Sequence, residues 1–230
     1  MSSTCSARPS PGRKTDGHDY FVKSAGAGWR SLICEWVAGR LAIEFGLPVP
    51  PVAQLVVEDA LAATYRQRGD LDLAAGLAFG SKRVDRVRDF EPALLGRCDA
   101  QFRQDLVAFD WWVRNADRTL GELSGNPNLL WVTGESRPAV IDHNMAFEAD
   151  FDVRLFCETH VFRDDFLAMR NDWVLQQQYQ QRLVALLPLL DTVWPELPHD
   201  WLFDDDGRSR MTRDEVDQIL EPVQHEGFWG

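Results

Sequence analysis

The chain has 230 residues, of which 45% are hydrophobic and 26% charged, and its formal net charge is −12 at pH 7. A chain of this length and composition folds as one domain or two small lobes around a real core. The acidic balance excludes an open nucleic-acid platform, because phosphate backbones require basic surfaces, and it makes an anionic membrane a poor partner.

The N-terminal fifth of the chain predicts an arm, a strand and a helix. Residues 1–18 are rich in Ser, Pro, Gly and basic side chains, which indicates a flexible arm. Residues 20–22 predict a short strand that ends at Lys23. Apolar residues then recur at helical spacing from Trp29 to Phe45, and Gly46 is a stop signal, so this stretch predicts a helix.

The next segment begins with an extended link. Prolines at 48, 50 and 51 lead into an apolar run at 52–57, which predicts a second strand. A short helix is predicted over 60–68, ending at Gly69. Residues 76–81 are rich in small side chains and predict a loop that approaches a ligand or the substrate closely, or a plain tight loop.

The second half predicts a helix, a hairpin and further helices. Asp99 can cap a helix over 100–113. Apolar runs at 128–132 and 139–141, joined by a loop that contains Gly134, predict a β-hairpin. The remainder is predicted to be mainly helical, from 174 to 190 and again from the capping box Thr212-Arg-Asp-Glu215.

The cysteines and the absence of apolar spans bear on the compartment. Cysteines at 5, 34, 98 and 157 form no CxxC pair, and the Cys157–His160 spacing has no second pair to complete a zinc site. This usage indicates a reducing environment. Because no signal-peptide core and no run of about 18 apolar residues is present, we expect a cytoplasmic protein with no membrane partner. The sequence does not indicate the oligomeric state.

Three acid or amide side chains fall on predicted loops within twenty-six positions: Asp117, Asn128 and Asp142. A hairpin brings its two ends together, so Asn128 and Asp142 can lie side by side. Their oxygens suit Mg²⁺, which takes one or two protein ligands and leaves the rest to phosphates and water. Asp117 is placed to orient an acceptor hydroxyl. Each residue alone also fits an ordinary turn, but the joint pattern favours phosphoryl transfer.

A lysine–glutamate pair lies upstream of this segment. Lys23 ends a predicted strand, and Glu35 lies twelve residues later in the predicted helix. Kinases hold the α- and β-phosphates of ATP with a strand lysine paired to a helix glutamate. Taken alone, each residue also fits a solvated strand end or an exposed helix acid.

Several segments of residues 19–147 resemble the HipA-like kinase family. They are Phe21-Val-Lys23, Glu35 in a helix followed by Gly46-Leu-Pro-Val-Pro50, Phe109-Asp-Trp-Trp-Val-Arg-Asn-Ala-Asp117-Arg-Thr, Asn126-Pro-Asn-Leu-Leu-Trp131 and Ile141-Asp-His143. The Asn-x-Asp-Arg and Ile-Asp elements are also similar to phosphatidylinositol kinases. The resemblance implies an α+β, reduced two-lobed protein-kinase-like fold. A small β/α N-lobe would span 19–58, and a mainly helical C-lobe would span 59–230 and carry the catalytic segment 115–143 with its β-hairpin.

The resemblance also implies site roles and cofactors. ATP and Mg²⁺ would be the cofactors, and the acceptor would be an unidentified protein or small molecule, with serine/threonine protein kinase activity expected first. Asn128 is preferred to Asn126 as a metal ligand because it directly precedes the apolar strand. The implied roles are phosphate contact for Lys23, support of that lysine for Glu35, catalysis for Asp117, added charge near the transferred phosphate for Arg118, and Mg²⁺ binding for Asn128 and Asp142.

Two departures from the family pattern keep other functions open. No G-x-G-x-x-G loop precedes Lys23, and the spacer 119–125 is longer than the family's usual one. A pseudokinase that binds nucleotide or a partner without turnover is therefore an alternative, as is a small-molecule or lipid kinase on the same scaffold. A metal hydrolase using Asp117, Asp142 and His143 is a remote alternative, because the chain lacks the usual clustered His/Asp spacing.

Overall fold

The structure, a computed structural model, describes residues 10–13, 17–67, 73–121 and 125–230. These residues form an α+β fold with two small antiparallel sheets. The strands are β1 (Ser10–Arg13), β2 (Asp19–Lys23), β3 (Val52–Val57), β4 (Gly76–Lys82), β5 (Val87–Asp89), β6 (Leu129–Val132) and β7 (Arg137–Val140). The α-helices are α1 (Trp29–Phe45), α2 (Asp59–Gln67), α3 (Ala100–Trp112), α4 (Val153–Thr159), α5 (Arg163–Met169), α6 (Trp173–Val184), α7 (Leu190–Val193), α8 (His199–Leu202) and α9 (Arg213–Leu220).

The first sheet has the strand order β1-β2-β4-β3. Successive side chains of β4 point to opposite faces of the sheet. Phe79 joins the main core with α1, whereas Ala78 joins a smaller cluster with Ala62 of α2. The sheet is therefore covered by a helix on each face.

Strand β4 corrects the prediction of a loop over 76–81. Residues 76–82 form a central strand that pairs with both β2 and β3. Its small residues serve close packing against a neighbouring strand, because a Cβ atom on Gly80 would lie 2.4 Å from Leu55 Cδ1. β4 lies beyond residue 58, so the sheet draws on both sides of the lobe boundary expected there.

The arm predicted over 1–18 contains strand β1. Ser10–Arg13 pairs antiparallel with β2 in the register Ser10 to Val22, so this part of the arm has regular structure. Residues 1–9 and 14–16 lie outside the described part of the chain.

The second sheet has the order β5-β6-β7, and β6 and β7 form the predicted hairpin. Asn128 precedes β6 rather than opening it, and the second strand covers 137–140 instead of 139–141. Helix α3 contributes Phe102, Leu106 and Phe109 to the same buried core as the hairpin residues Leu129 and Val140. None of the helices in the described ranges has the length and apolar character needed to cross a membrane.

Most of the predicted helices are confirmed. Helix α1 begins at Trp29 and ends at Phe45 with Gly46 in the left-handed region, as expected. Asp99 caps α3 by accepting a hydrogen bond from the Phe102 amide. The capping box at Thr212 is present. The helix predicted over 174–190 ends at Val184, because Pro188 follows and cannot continue an α-helical hydrogen-bond ladder.

Replacing Gly80 by Ala is expected to lower the free energy of unfolding by about 1–3 kcal/mol, since the new methyl group overpacks the sheet. It would meet the Leu55 side chain at 2.4 Å and Tyr20 Cδ1 at 3.3 Å. Urea unfolding measures the effect. Gly96→Ala is the matched control, because no atom lies within 4 Å of its added Cβ. Equal stability of the two variants would contradict this packing.

Candidate active site

A cleft with a volume of about 200 Å³ lies between the first sheet and the β6–β7 hairpin. One part is apolar and the other carries ionisable groups. The apolar lining includes Val49, Val52, Phe79, Leu130 and Val140, and the polar lining includes Lys23, Glu35, Asp142 and His143.

Lys23, Glu35 and Asp142 meet at the polar end of this cleft. Lys23 Nζ donates to Glu35 Oε1 at 2.5 Å and to Asp142 Oδ1 at 2.7 Å. Lys23 and Glu35 are both buried, with 7% and 3% exposure. Burial by itself lowers the pKa of Lys23, but the two carboxylates outweigh it and hold that pKa above its usual value. The ammonium group therefore stays charged between its two partners.

Helix α1 also holds the segment that follows Asp142. The His143 amide donates to Glu35 Oε2 at 3.0 Å. One residue before Glu35 in α1, Cys34 Sγ lies 3.1 Å from the Ala146 carbonyl oxygen. Five residues before Glu35, Arg30 donates to the Phe147 carbonyl at 2.6 Å. Helix α1 is therefore joined to the segment after Asp142 by direct side-chain contacts.

Asp117 lies beside the two asparagines that precede β6. Asn128 Nδ2 donates to Asp117 Oδ2 at 2.9 Å, and Asn126 Nδ2 donates to the same oxygen at 3.1 Å. Among the described residues no donor reaches Asp117 Oδ1. Burial raises the pKa of Asp117, the Asn128 hydrogen bond opposes this, and the nearby Asp142 charge adds to it, so the net shift is upward.

Asn128 directly precedes β6 and Asp142 follows β7, so both lie at the open end of the hairpin. Both have an unusual backbone conformation. The Ile141 amide donates to the Asn128 carbonyl at 3.1 Å, which brings the two ends together. Asn128 has φ +47° and Asp142 has φ +60°, and such left-handed conformations are uncommon outside glycine. Backbone strain of this kind persists only where the surroundings fix it, and it concentrates at functional sites.

The oxygens at this end of the cleft fit a hard cation. Asn128 uses its amide nitrogen on Asp117, which leaves its Oδ1 as the atom able to bind a cation. Asn144 Oδ1, two residues after Asp142, is buried and has no hydrogen-bond partner in the described part of the chain. Among the described residues no group of three or more His, Cys, Asp or Glu side chains is arranged to hold a metal. Two protein oxygens with phosphate oxygens match the habit of Mg²⁺.

Arg118 is not brought to the surface of the cleft. Its side chain is fully buried and donates to Asp110 and to main-chain carbonyls. The expected role of added charge near the transferred phosphate therefore lacks a geometric basis. Sequence reasoning missed Asp110 and Asn144; a charged residue inside the apolar pattern of the predicted 100–113 helix was the available sign for Asp110.

The model of the HipA-like kinase family matches residues 1–230, which is the whole chain. The chain therefore belongs to the HipA-like kinase family. Membership indicates a kinase-like phosphotransferase, in agreement with the resemblance found in the sequence. A comparison with curated proteins finds no match.

Acidification is expected to destabilise the fold because two buried histidines stay neutral. Burial, with the Arg118 charge, lowers the pKa of His143 to about 3, and burial lowers the pKa of His160 despite its bond to Asp110. Below about pH 6.5 the unfolded chain binds these protons more tightly than the folded chain does, so the two histidines make stability fall as the pH drops. Glu35 acts in the opposite direction, because burial raises its pKa to about 7 and the folded chain protonates it first. Each histidine contributes up to about 1.4 kcal/mol per pH unit.

Urea unfolding at pH 7, 6 and 5 measures this loss. His160→Gln should reduce the slope, whereas His199→Gln should leave it unchanged, since His199 is 81% exposed. The same slope in His160→Gln as in the wild type would contradict the neutral state of His160.

Proposed function

We propose that this protein is an ATP–Mg²⁺-dependent phosphotransferase whose active site is the polar end of the cleft. The observation that carries the proposal is the convergence of Lys23, Glu35 and Asp142 beside the Asp117–Asn128 pair. Lys23 lies in β2, Glu35 lies in α1, and the other three residues lie in loops next to α3 and the hairpin. Lys23 and Asp142 are 119 positions apart in the sequence. Phosphoryl transfer requires this combination of a cation on the phosphates, oxygen ligands for a metal and a carboxylate for the acceptor.

The nucleotide is proposed to enter with its base in the apolar part of the cleft. Val52 and Phe79 from the first sheet and Leu130 and Val140 from the hairpin would contact its two faces. Lys23 would then contact the phosphates while Glu35 holds it in place. Because Glu35 is buried and its other oxygen accepts from the His143 amide, the lysine has a fixed support.

Asn128 and Asp142 are the proposed Mg²⁺ ligands. The metal, when bound, would neutralise charge on the phosphates. Asp142 accepts a hydrogen bond from Lys23. The phosphate bound by Lys23 and the metal bound by Asp142 would therefore lie side by side. Asn128 is kept in place by Asp117, which ties the metal site to the acceptor site.

Asp117 is proposed to accept the proton of the acceptor hydroxyl. Its Oδ2 is held by two asparagine amides, so Oδ1 can face the substrate. A pKa above the usual carboxylate value makes it a better proton acceptor in the transition state. We further propose a reduced two-lobed kinase arrangement with the cleft between the lobes, acting in the cytoplasm on serine or threonine hydroxyls of a protein.

A transfer assay tests the proposal. The purified protein is incubated with γ-labelled ATP, Mg²⁺ and a whole-cell lysate, with and without excess chelator. We expect chelator-sensitive label in protein, stable in acid and released by alkali as serine and threonine phosphates are. Label in a lipid or small-molecule fraction would show that the acceptor is a lipid or a small molecule instead of a protein. Nucleotide binding with no transfer to any fraction would identify a pseudokinase and contradict the enzyme.

A further inference from the structure

A fully buried polar cluster lies beneath the proposed metal site. Asp110 of α3 and Arg118 are 0% exposed, and His160 at the end of α4 is 1% exposed. Arg118 Nε donates to Asp110 Oδ2 at 2.7 Å, and His160 Nε2 lies 3.0 Å from the same oxygen. Burying charges is unfavourable, and apolar residues often replace such clusters without loss of stability. The cluster therefore calls for a function other than stability.

Arg118 connects the two chain segments that carry the proposed metal ligands. Its Nη1 donates to the Asn128 carbonyl at 2.6 Å, with the Ile141 and Pro127 carbonyls at 3.2 and 3.3 Å. Asn128 is itself a proposed ligand, and Ile141 directly precedes the other one, Asp142. One planar guanidinium group thus contacts both ends of the hairpin.

These contacts fall where the backbone is strained. Asn128 and Asp142 both have positive φ values, of 47° and 60°. Residues in that region need surroundings that over-determine them. Arg118 donates to the carbonyl of Asn128 and to that of Ile141, which directly precedes Asp142. It is therefore placed to fix the orientation of both ligand side chains.

His160 and Asp110 in turn fix the guanidinium. The Phe162 amide donates to His160 Nδ1 at 3.0 Å, so the ring proton is on Nε2 and points to Asp110. Asn115 donates to the other Asp110 oxygen at 2.9 Å. The main chains of Arg118 and His160 are also joined, because the Val161 amide donates to the Arg118 carbonyl at 3.0 Å.

We propose that Asp110, Arg118 and His160 are positioning residues that set the separation and orientation of Asn128 and Asp142 for metal binding. This inference rests on the proposed function. The role is distinct from the expectation that Arg118 acts on the transferred phosphate, because the cluster acts only through the backbone of the hairpin ends. It also gives a role to His160, whose spacing from Cys157 is not repeated elsewhere in the sequence to complete a zinc site.

Arg118→Lys tests the proposal, since lysine keeps the charge but lacks the planar fork that reaches Asp110 and both carbonyls. Mn²⁺ binding in the presence of a non-hydrolysable ATP analogue is followed by electron paramagnetic resonance. We expect metal affinity to fall on the order of tenfold or more, as for other groups that orient metal ligands. The affinity for the analogue without metal should be unchanged.

Val216→Ala is the control for a merely structural effect. Val216 is buried in α9, away from the cluster, so this variant should lower the melting temperature and leave metal affinity as in the wild type. His160→Gln, which retains a donor for Asp110, and His160→Leu, which does not, give a milder second pair if Arg118→Lys fails to fold. Only the leucine variant should weaken metal binding.

The outcomes separate this inference from the proposed function. Wild-type protein that binds neither analogue nor Mn²⁺ would overturn both. Wild-type protein that binds both, with unchanged metal affinity in Arg118→Lys or in His160→Leu, would overturn the positioning role alone. A drop in metal affinity that Val216→Ala reproduces at equal melting temperature would also overturn it.

Discussion

Replacing Asp117 by Asn is expected to reduce the rate of phosphate transfer by about 10²–10⁴-fold, the usual contribution of a positioned acid–base group. The amide keeps the size of the side chain but cannot accept the proton of the acceptor hydroxyl. Binding of ATP–Mg²⁺ should be retained, because the oxygen of the new amide can still accept the hydrogen bonds from Asn126 and Asn128. Single-turnover transfer and calorimetric nucleotide titration, run on the same preparation, measure the two quantities.

Asp150→Asn is the control for the loss of one negative charge near the site. Asp150 is exposed and follows the segment that contains Asp142, so its replacement should leave both measurements unchanged. Transfer by Asp117→Asn at the wild-type rate would remove Asp117 from its proposed role. A loss of ATP–Mg²⁺ binding would show instead that the negative charge of Asp117 is needed at the metal site.

Asp142→Asn is expected to abolish the gain in ATP affinity that Mg²⁺ provides and to leave no measurable transfer. The change removes the charged oxygen ligand and one of the two carboxylates that hold Lys23. Lys23 stays paired with Glu35 at 2.5 Å, so the fold should be retained. Nucleotide titrations with Mg²⁺ and with excess chelator measure the difference, and the melting temperature confirms folding.

Asn126→Asp provides the comparison for this variant, because it places a new carboxylate beside Asp117 without touching Lys23. It should retain a Mg²⁺-dependent gain in ATP affinity. If Asp142→Asn bound ATP with the same dependence on Mg²⁺ as the wild type, Asp142 would not be a metal ligand and the metal would have to lie elsewhere in the cleft.

The sequence correctly predicted the elements whose start and stop signals lie within the element itself. Helix α1 has its apolar spacing and its terminating Gly46 within one segment, and α3 carries its cap at Asp99. The capping box of α9 is likewise complete within four residues. Because these features depend on neighbours in the chain, periodicity and capping rules were enough to find them.

Strand β4 was missed because its partners are distant. Gly76–Lys82 pairs with β2 more than fifty residues earlier and with β3 between 19 and 29 residues earlier. Small residues such as Ala78 and Gly80, which pack closely between strands, are typical of a loop when their neighbours are unknown. Strand propensity depends on cross-strand packing, which no local window contains.

The candidate site was predicted in part for the same reason. Lys23, Glu35, Asp117, Asn128 and Asp142 carry motif spacing. Lys23, Glu35 and Asp142 line one end of the cleft, and Asn128, which is hydrogen-bonded to Asp117, is joined through its carbonyl to Ile141, the neighbour of Asp142. The partners of Arg118 could not be predicted from the sequence. Asp110 lies in helix α3 and Ile141 lies just after β7, and only tertiary packing brings them to Arg118. Asp117 is partly buried and bonded to Asn126 and Asn128, whereas Arg118, its neighbour in the chain, is fully buried.

Hydrogen–deuterium exchange with and without ATP–Mg²⁺ tests the central claim most directly, because it locates the nucleotide without assuming an acceptor. Bound ligand stabilises the folded state, by about 2.7 kcal/mol at a hundred times its Kd. We predict slower exchange confined to β2, the 79–82 part of β4, and residues 126–144, and lost when Mg²⁺ is chelated. Unchanged exchange throughout, or slowing only in α6–α9, would contradict a magnesium–nucleotide site in this cleft.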